Sequence, residues 1–189
     1  MIWNDTLIRE WAESGGVTPF DSDMVNPASL DLRLGNKIRE PHPVWSYIST
    51  VDMLRHINRG TIIDLPRWGD AVVFDSYWLM PRGHGCSFVL CHSVEFINMP
   101  DDTAAVLYSK SSTGRRGVEH LHAGYGDPAW HDAQWTWELH NVAPRPIELK
   151  AGQPLMQQVM IRMTDRPVRT YTETGRYNNQ TGPTPERTS

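Results

Sequence analysis

The feature that most constrains this chain is a series of short apolar runs cut apart by turn formers. Ala71-Val72-Val73-Phe74, Ser87-Phe88-Val89-Leu90 and Ala104-Ala105-Val106-Leu107-Tyr108 are continuous stretches fit for buried strands. Ser29-Leu30-Asp31-Leu32-Arg33-Leu34 and Pro146-Ile147-Glu148-Leu149-Lys150 alternate polar and apolar residues, the period of a strand with one face covered. The 14 Gly and 14 Pro are scattered between these runs instead of gathering in one linker. Many short strands with frequent turns favour a sandwich, jelly roll or distorted barrel over alternating strand–helix units.

A short helix is expected at the start. Asn4 or Asp5 can cap it, Leu7, Ile8 and Trp11 form one apolar face, and Gly15-Gly16 stop it. Residues 40–60, with Pro41, Pro43 and the helix-like Thr50–His56, read as an excursion from the sheet. From about Thr172 the chain turns polar and turn-rich, almost without aliphatic residues. Composition alone favours a disordered end. The same tail offers a guanidinium, a phenol and three amides, so it also suits a lid that orders over a ligand. The expected organisation is one β domain over residues 1–171 and a flexible tail or lid over 172–189.

At 189 residues the chain can bury roughly 70% of its unfolded surface as one domain. Its formal charge of -4 argues against nucleic acid or a membrane as the main partner, because both repel a net anion. Phosphate binding, if present, must be local. No apolar run reaches the roughly 18 residues of a membrane span, and the start is not a signal peptide, so a cytoplasmic location is expected. Cys86 and Cys91, with His84 and His92 nearby, could be drawn as a zinc site. Residues 84–97 read as a strand, however, where an odd offset puts the two thiols on opposite faces. The His-x-Glu and Pro-Cys-x-x-Cys pattern of zinc nucleobase deaminases is absent. No zinc and no protein-held metal is expected.

Lys110-Ser111-Ser112-Thr113-Gly114-Arg115-Arg116-Gly117 puts cations, hydroxyls and glycines within eight residues. That inventory suits polyphosphate, although it lacks the Walker order and could equally be a solvated turn. In Trp135-Thr136-Trp137-Glu138-Leu139, period-2 alternation puts Thr136 and Glu138 on one face and the apolar residues on the other. Glu138 is either a solvent-facing strand residue or a carboxylate in a cleft, where apolar surroundings raise its pKa for proton transfer. Asp127, before Pro128, is a turn former that could also accept hydrogen bonds from a sugar. His120 and His122 alternate on a short strand and are read as pocket or packing residues.

Together these residues resemble the dCTP deaminases of the trimeric dUTPase-like superfamily. Asn26-Pro27-Ala28-Ser29-Leu30-Asp31-Leu32-Arg33-Leu34-Gly35 looks like that family's Gln-Pro-Ala-Ser-x-Asp-Leu-Arg-Leu-Gly strand. Segment 94–102 is similar to its strand leading to the phosphate motif. Lys110-Ser111-Ser112 with Arg115 and Gly117 matches Arg/Lys-Ser-Ser-x-x-Arg-x-Gly. His120, Ala123, Gly124, Asp127 and Pro128 fit His-x-x-Ala-Gly-x-x-Asp-Pro, and Thr136 to Asn141 fits Thr-Leu-Glu-x-x-Asn. Arg176-Tyr177-x-x-Gln180-x-Gly182-Pro183-Thr184 is similar to its C-terminal lid.

The resemblance implies a mainly β, distorted-barrel or jelly-roll-like dUTPase-like subunit and a homotrimer with sites between subunits. It implies metal-free hydrolysis of the cytosine amine of a deoxycytidine nucleotide, with Mg2+ carried by the triphosphate. Glu138 would activate water, Ser111 hold it and Arg115 orient Glu138. Lys110, Ser112, Arg176 and Gln180 would grip phosphates, Asp127 the deoxyribose and Tyr171 the closing tail, with Thr136 beside the substrate. His122, Ala123, Gly124 and Gly126 would lie near the base. His122 stands where the family has Thr, and Gly126 where it has Ile or Val, which would leave space for a modified base or an altered phosphate number. The other readings are a dUTP pyrophosphatase, a bifunctional dCTP deaminase/dUTPase and a non-catalytic nucleotide-binding regulator. The Asp-x-Asp-Tyr-Arg-Gly segment of pure dUTPases is missing. The joint presence of Ser111, Arg115 and Glu138 speaks against the regulator.

Overall fold

The computed structural model describes residues 1–41, 67–83, 86–121 and 123–187. The excursion beyond Pro41, with its helix-like Thr50–His56, lies outside these residues, as do His84 and His122.

Helix α1 spans Asp5–Trp11, and the Asn4 side chain accepts from the Leu7 amide at 3.1 Å, satisfying one of the otherwise unpaired first-turn donors. Ile8 and Trp11 are buried, and a wide turn over Ala12–Gly16 ends the element with Gly15 at φ 98°. The strands follow as β1 (Val17–Thr18), β2 (Val25–Asn26), β3 (Ser29–Arg33), β4 (Lys37–Ile38), β5 (Val72–Val73), β6 (Ser76–Leu79), β7 (Phe88–Ile97) and β8 (Thr103–Ser109). After helix α2 (Ser111–Arg116) come β9 (Val118–His120), β10 (Tyr125–Gly126), β11 (Ala133–Asn141), β12 (Ile147–Lys150), β13 (Pro154–Arg162) and helix α3 (Tyr171–Thr174).

The strands pair antiparallel into a five-stranded sheet, β10-β8-β13-β3-β2, and a four-stranded sheet, β1-β7-β11-β9. Two ribbons, β12–β6 and β4–β5, complete the described residues. Past β3 the chain leaves the first sheet and bridges to the second through Leu34–Ser93 and Arg39–Leu90. Such a strand that switches sheets forms the corner of a distorted barrel. The fold is mainly β with a short N-terminal helix, as expected. Leu30, Leu32, Trp137, Leu139, Leu155 and Met160 belong to one buried apolar cluster. Across it, the Trp135 indole nitrogen donates to Gln158 Oε1 at 2.7 Å, so the buried amide and indole satisfy each other.

Four sequence expectations need correcting. Ala71–Phe74 is not a buried strand: only Val72 and Val73 are extended, and they are 60% and 64% exposed. Among the described residues they pair with β4 alone, in a two-stranded ribbon. In β3 the polar positions do not face water. Ser29 and Asp31 are buried, because Asp31 accepts from Asn26 Nδ2 at 2.9 Å and pairs with Lys110. Cys86 precedes β7 and is not on it, so the opposite-face argument does not apply; its thiol donates to the Phe88 carbonyl at 3.1 Å while Cys91 is buried. Lys110–Gly117 is not an open turn but carries helix α2. Thr113 anchors that helix by donating to the Leu155 carbonyl at 2.8 Å, and Arg116 donates to the Glu148 carbonyl. Gly117 closes it at φ 90°, where a Cβ would meet the Ala143 side chain at 2.6 Å.

Candidate active site

The alternation of β11 places the key carboxylate. Trp137 and Leu139 point into the core, leaving Thr136 and Glu138 half-buried on the other face. They face a cleft of about 370 Å³, within the range of small-ligand sites. Ala123, Tyr125, Asp127 and Trp130 line one side, Trp68 and Leu90 another, and the tail residues Tyr171, Tyr177, Gln180, Thr184 and Glu186 the third. Aromatic rings dominate these walls, giving stacking surface for a base.

Glu138 Oε2 lies 3.4 Å from His120 Nε2, and neither atom has a hydrogen-bond partner. The Glu138 side chain is 26% exposed and His120 is buried, so the carboxylate is walled on one side and open to the cleft on the other. Burial pushes the Asp127 carboxyl above the usual carboxylate range, and burial likewise raises the Tyr171 phenol. Tyr171 donates its amide to the Pro128 carbonyl at 3.2 Å, which ties the start of the tail to the Asp127 turn.

The tail is described to Arg187 and folds back over the cleft. The Trp130 indole nitrogen donates to the Tyr177 carbonyl at 3.0 Å, and the Thr184 amide to Thr136 Oγ1 at 3.2 Å. Glu186 accepts from Arg67 at 2.7 Å and from the Trp68 indole nitrogen at 3.2 Å, and Trp68 rests on Phe88 with ring centroids 5.4 Å apart.

Six expected residues converge on the cleft: Ala123, Asp127, Thr136, Glu138, Tyr171 and Gln180. Seven others do not line it. Ser111, Ser112 and Arg115 are exposed on α2, Lys110 is paired with buried Asp31, and Arg176 is exposed. Gly124 and Gly126 are buried behind the cleft wall. A Cβ on Gly124 would meet Leu107 Cβ at 2.5 Å. At Gly126 it would meet the Trp135 ring at 3.1 Å and Ala105 at 3.3 Å. The room expected at Gly126 is therefore filled, because the Trp135 indole takes the volume a β-branched side chain would use. Trp68, Leu90, Tyr125, Trp130, Trp135 and Glu186 were not legible as site residues. His120, a pocket or packing residue by sequence, lies opposite Leu139 on β11, which brings it to Glu138.

A family model described as dCTP deaminase-like matches residues 2–163. A protein of Aquifex aeolicus named dCTP deaminase, dUMP-forming, is 33% identical over 189 residues, covering 99% of this chain and 94% of that protein. A protein of Streptomyces coelicolor with the same name is 34% identical over 195 residues. It covers 99% of this chain and 95% of its own. The crystal structure of 2'-deoxycytidine 5'-triphosphate deaminase from Agrobacterium tumefaciens aligns at TM-score 0.61 and 26% identity. That alignment takes in 86% of this chain and 49% of the other, so this chain spans about half the length of that one. Matched by this family model over residues 2–163 and 33% identical to a named dCTP deaminase across 99% of its length, this chain belongs to the dCTP deaminase-like family.

Proposed function

We propose that this protein hydrolyses the exocyclic amine of dCTP, giving dUTP and ammonia, with Glu138 as the acid–base group. The observation that carries this is Glu138 itself: a carboxylate half-buried on β11, backed by His120 and facing an aromatic cleft. Glu138 takes a proton from water as the oxygen adds to the amine-bearing carbon. It then returns that proton to the departing nitrogen, so that water and dCTP account for dUTP and ammonia. Asp127 faces the sugar, and Ala123 and the cleft aromatics face the base. The filled space at Gly126 favours unmodified cytosine.

Ser111 and Arg115 act from a second copy of the chain. In support, α2 presents Ser111, Ser112 and Arg115 to solvent and away from its own cleft. Tyr108, Leu121, Tyr125 and Val142 are also large apolar side chains exposed at 48–60%, the kind of surface that marks an interface. In a homotrimer each α2 completes a neighbour's site: Ser111 holds the water, Arg115 orients Glu138, and Lys110 and Ser112 meet phosphates with Arg176 of the tail. Mg2+ arrives on the triphosphate. The tail acts as the lid that keeps water out.

A second reading is that the same site also releases pyrophosphate and ends at dUMP. The name dUMP-forming, carried by both relatives above, favours it. Incubation with dCTP and Mg2+, followed by separation of dUTP, dUMP and pyrophosphate, decides. Ammonia with dUTP supports the first reading, and ammonia with dUMP and pyrophosphate the second. No ammonia refutes both.

A further inference from the structure

β11 has an incomplete edge. On one side it pairs with β7 along its length, with Gln134 opposite Phe96. On the other side β9 covers only Leu139, His140 and Asn141. No strand among the described residues pairs with Gln134 on that side, so its amide and carbonyl point at an edge that needs partners.

A single tail residue supplies both. The Gln134 amide donates to the Gln180 carbonyl at 3.0 Å, and Gln180 Nε2 donates back to the Gln134 carbonyl at 2.6 Å. The Gln134 side chain extends the contact: its Oε1 accepts from the Gly182 amide at 2.8 Å while its Nε2 is fixed on the Val94 carbonyl at 3.1 Å. Both glutamines are buried, at 7% and 6% exposure. Water cannot replace these bonds without opening the tail, so breaking one leaves a buried polar group unpaired.

We propose that Gln134 is a positioning residue that docks the tail over the Glu138 cleft, with Gln180 acting as a one-residue replacement strand. One N–H of the Gln180 side-chain amide is then held by β11. The kinetic part of this inference rests on the deaminase reading; the docking part does not. Substrate closes the tail and so pulls a loosened tail shut at saturation. A docked fraction reduced without substrate therefore raises the apparent KM by the inverse of that fraction and spares kcat.

The test compares the full chain with Gln134→Leu and, from the tail side where the barrel core is untouched, Gln180→Met. Hydrogen exchange is followed without nucleotide, then KM and kcat are measured with dCTP. Each variant is expected to speed exchange in 176–187 about tenfold, the worth of one ordinary hydrogen bond, while β7, β8 and β13 exchange as before. KM should rise by the fall in docked fraction, up to about tenfold, with kcat within roughly threefold. Unchanged tail exchange in both variants overturns the inference, and so does a kcat loss at constant KM. If the unsubstituted protein leaves dCTP intact, the functional reading fails while the exchange result still decides the docking.

Discussion

Glu138 Oε2 and His120 Nε2 face each other at 3.4 Å, each buried and each without a hydrogen-bond partner. The imidazole backs the carboxylate on one side, and the carboxylate opens to the cleft on the other. The remainder of the proposed site is assembled around that pair, and the following outcomes are expected.

If α2 serves a neighbouring copy, two inactive variants should rescue one another. Glu138→Gln and Arg115→Ala chains, each inactive alone, are expected to regain about a quarter of the original activity when refolded together at equal amounts. Random assortment in a cyclic assembly leaves about that share of sites with both groups intact. Activity no higher than that of the separate variants would show that one chain supplies both residues.

Gly126→Val should destabilise the protein instead of reshaping the base pocket. Its Cβ would press on the Trp135 ring at 3.1 Å and on Ala105 at 3.3 Å. Overpacking of this kind costs about 1–3 kcal/mol. A lower urea midpoint with an unchanged slope is the expected reading, and an unchanged midpoint would mean that Trp135 swings away freely.

Much of this site was legible because β11 obeys a local rule. Period-2 alternation set Thr136 and Glu138 on one face, opposite Trp137 and Leu139, and left open whether that face met solvent or a cleft. The rest depended on residues far apart in sequence. Trp68 reaches Glu186 across 118 positions, and nothing local in either segment announces the other. Gly126 misled for the same reason: the neighbour that fills its space, Trp135, comes from another strand. Helix α2 was hidden because its propensity is poor, with Gly114 inside it, and tertiary anchors such as Thr113 on Leu155 hold it. Val72 and Val73 read as core by composition, yet among the described residues they sit exposed on a two-stranded ribbon with β4.

Arg33 neutralises a buried carboxylate. Its Nε lies 2.6 Å from Glu95 Oε1, its amide donates to Glu95 Oε2 at 3.0 Å, and Glu95 is 2% exposed. Burial pushes the Glu95 carboxyl upward, against the pull of Arg33. Arg33→Met strands that group and should cost about 3 kcal/mol in urea unfolding. Adding Glu95→Leu should restore most of the loss. A double variant as unstable as the single one would mean that Arg33 contributes by packing alone.

Stability should fall on mild acidification because of His92. Burial pushes its pKa below the ordinary value of 6.5, and Lys37 acts in the same direction. Its Nδ1 sits 2.8 Å from the Ser93 carbonyl, and its Nε2 accepts from the Lys37 amide at 3.3 Å, an arrangement that needs the neutral ring. The unfolded chain therefore takes up the proton first. Stability is full above about pH 7 and declines as pH drops through about 6.5 toward the lowered folded value. His92→Gln, which cannot titrate, should flatten the Tm profile between about pH 5 and 7. A variant profile as steep as the original would assign the loss to other groups.

In the proposed reaction Glu138 moves the proton during dCTP deamination. Ammonia release from dCTP by Glu138→Gln, set against the unsubstituted protein with folding checked by circular dichroism, tests it most directly. The expected result is a fall in kcat of at least about a hundredfold at unaltered Tm. Deamination by the variant at the original rate would contradict it.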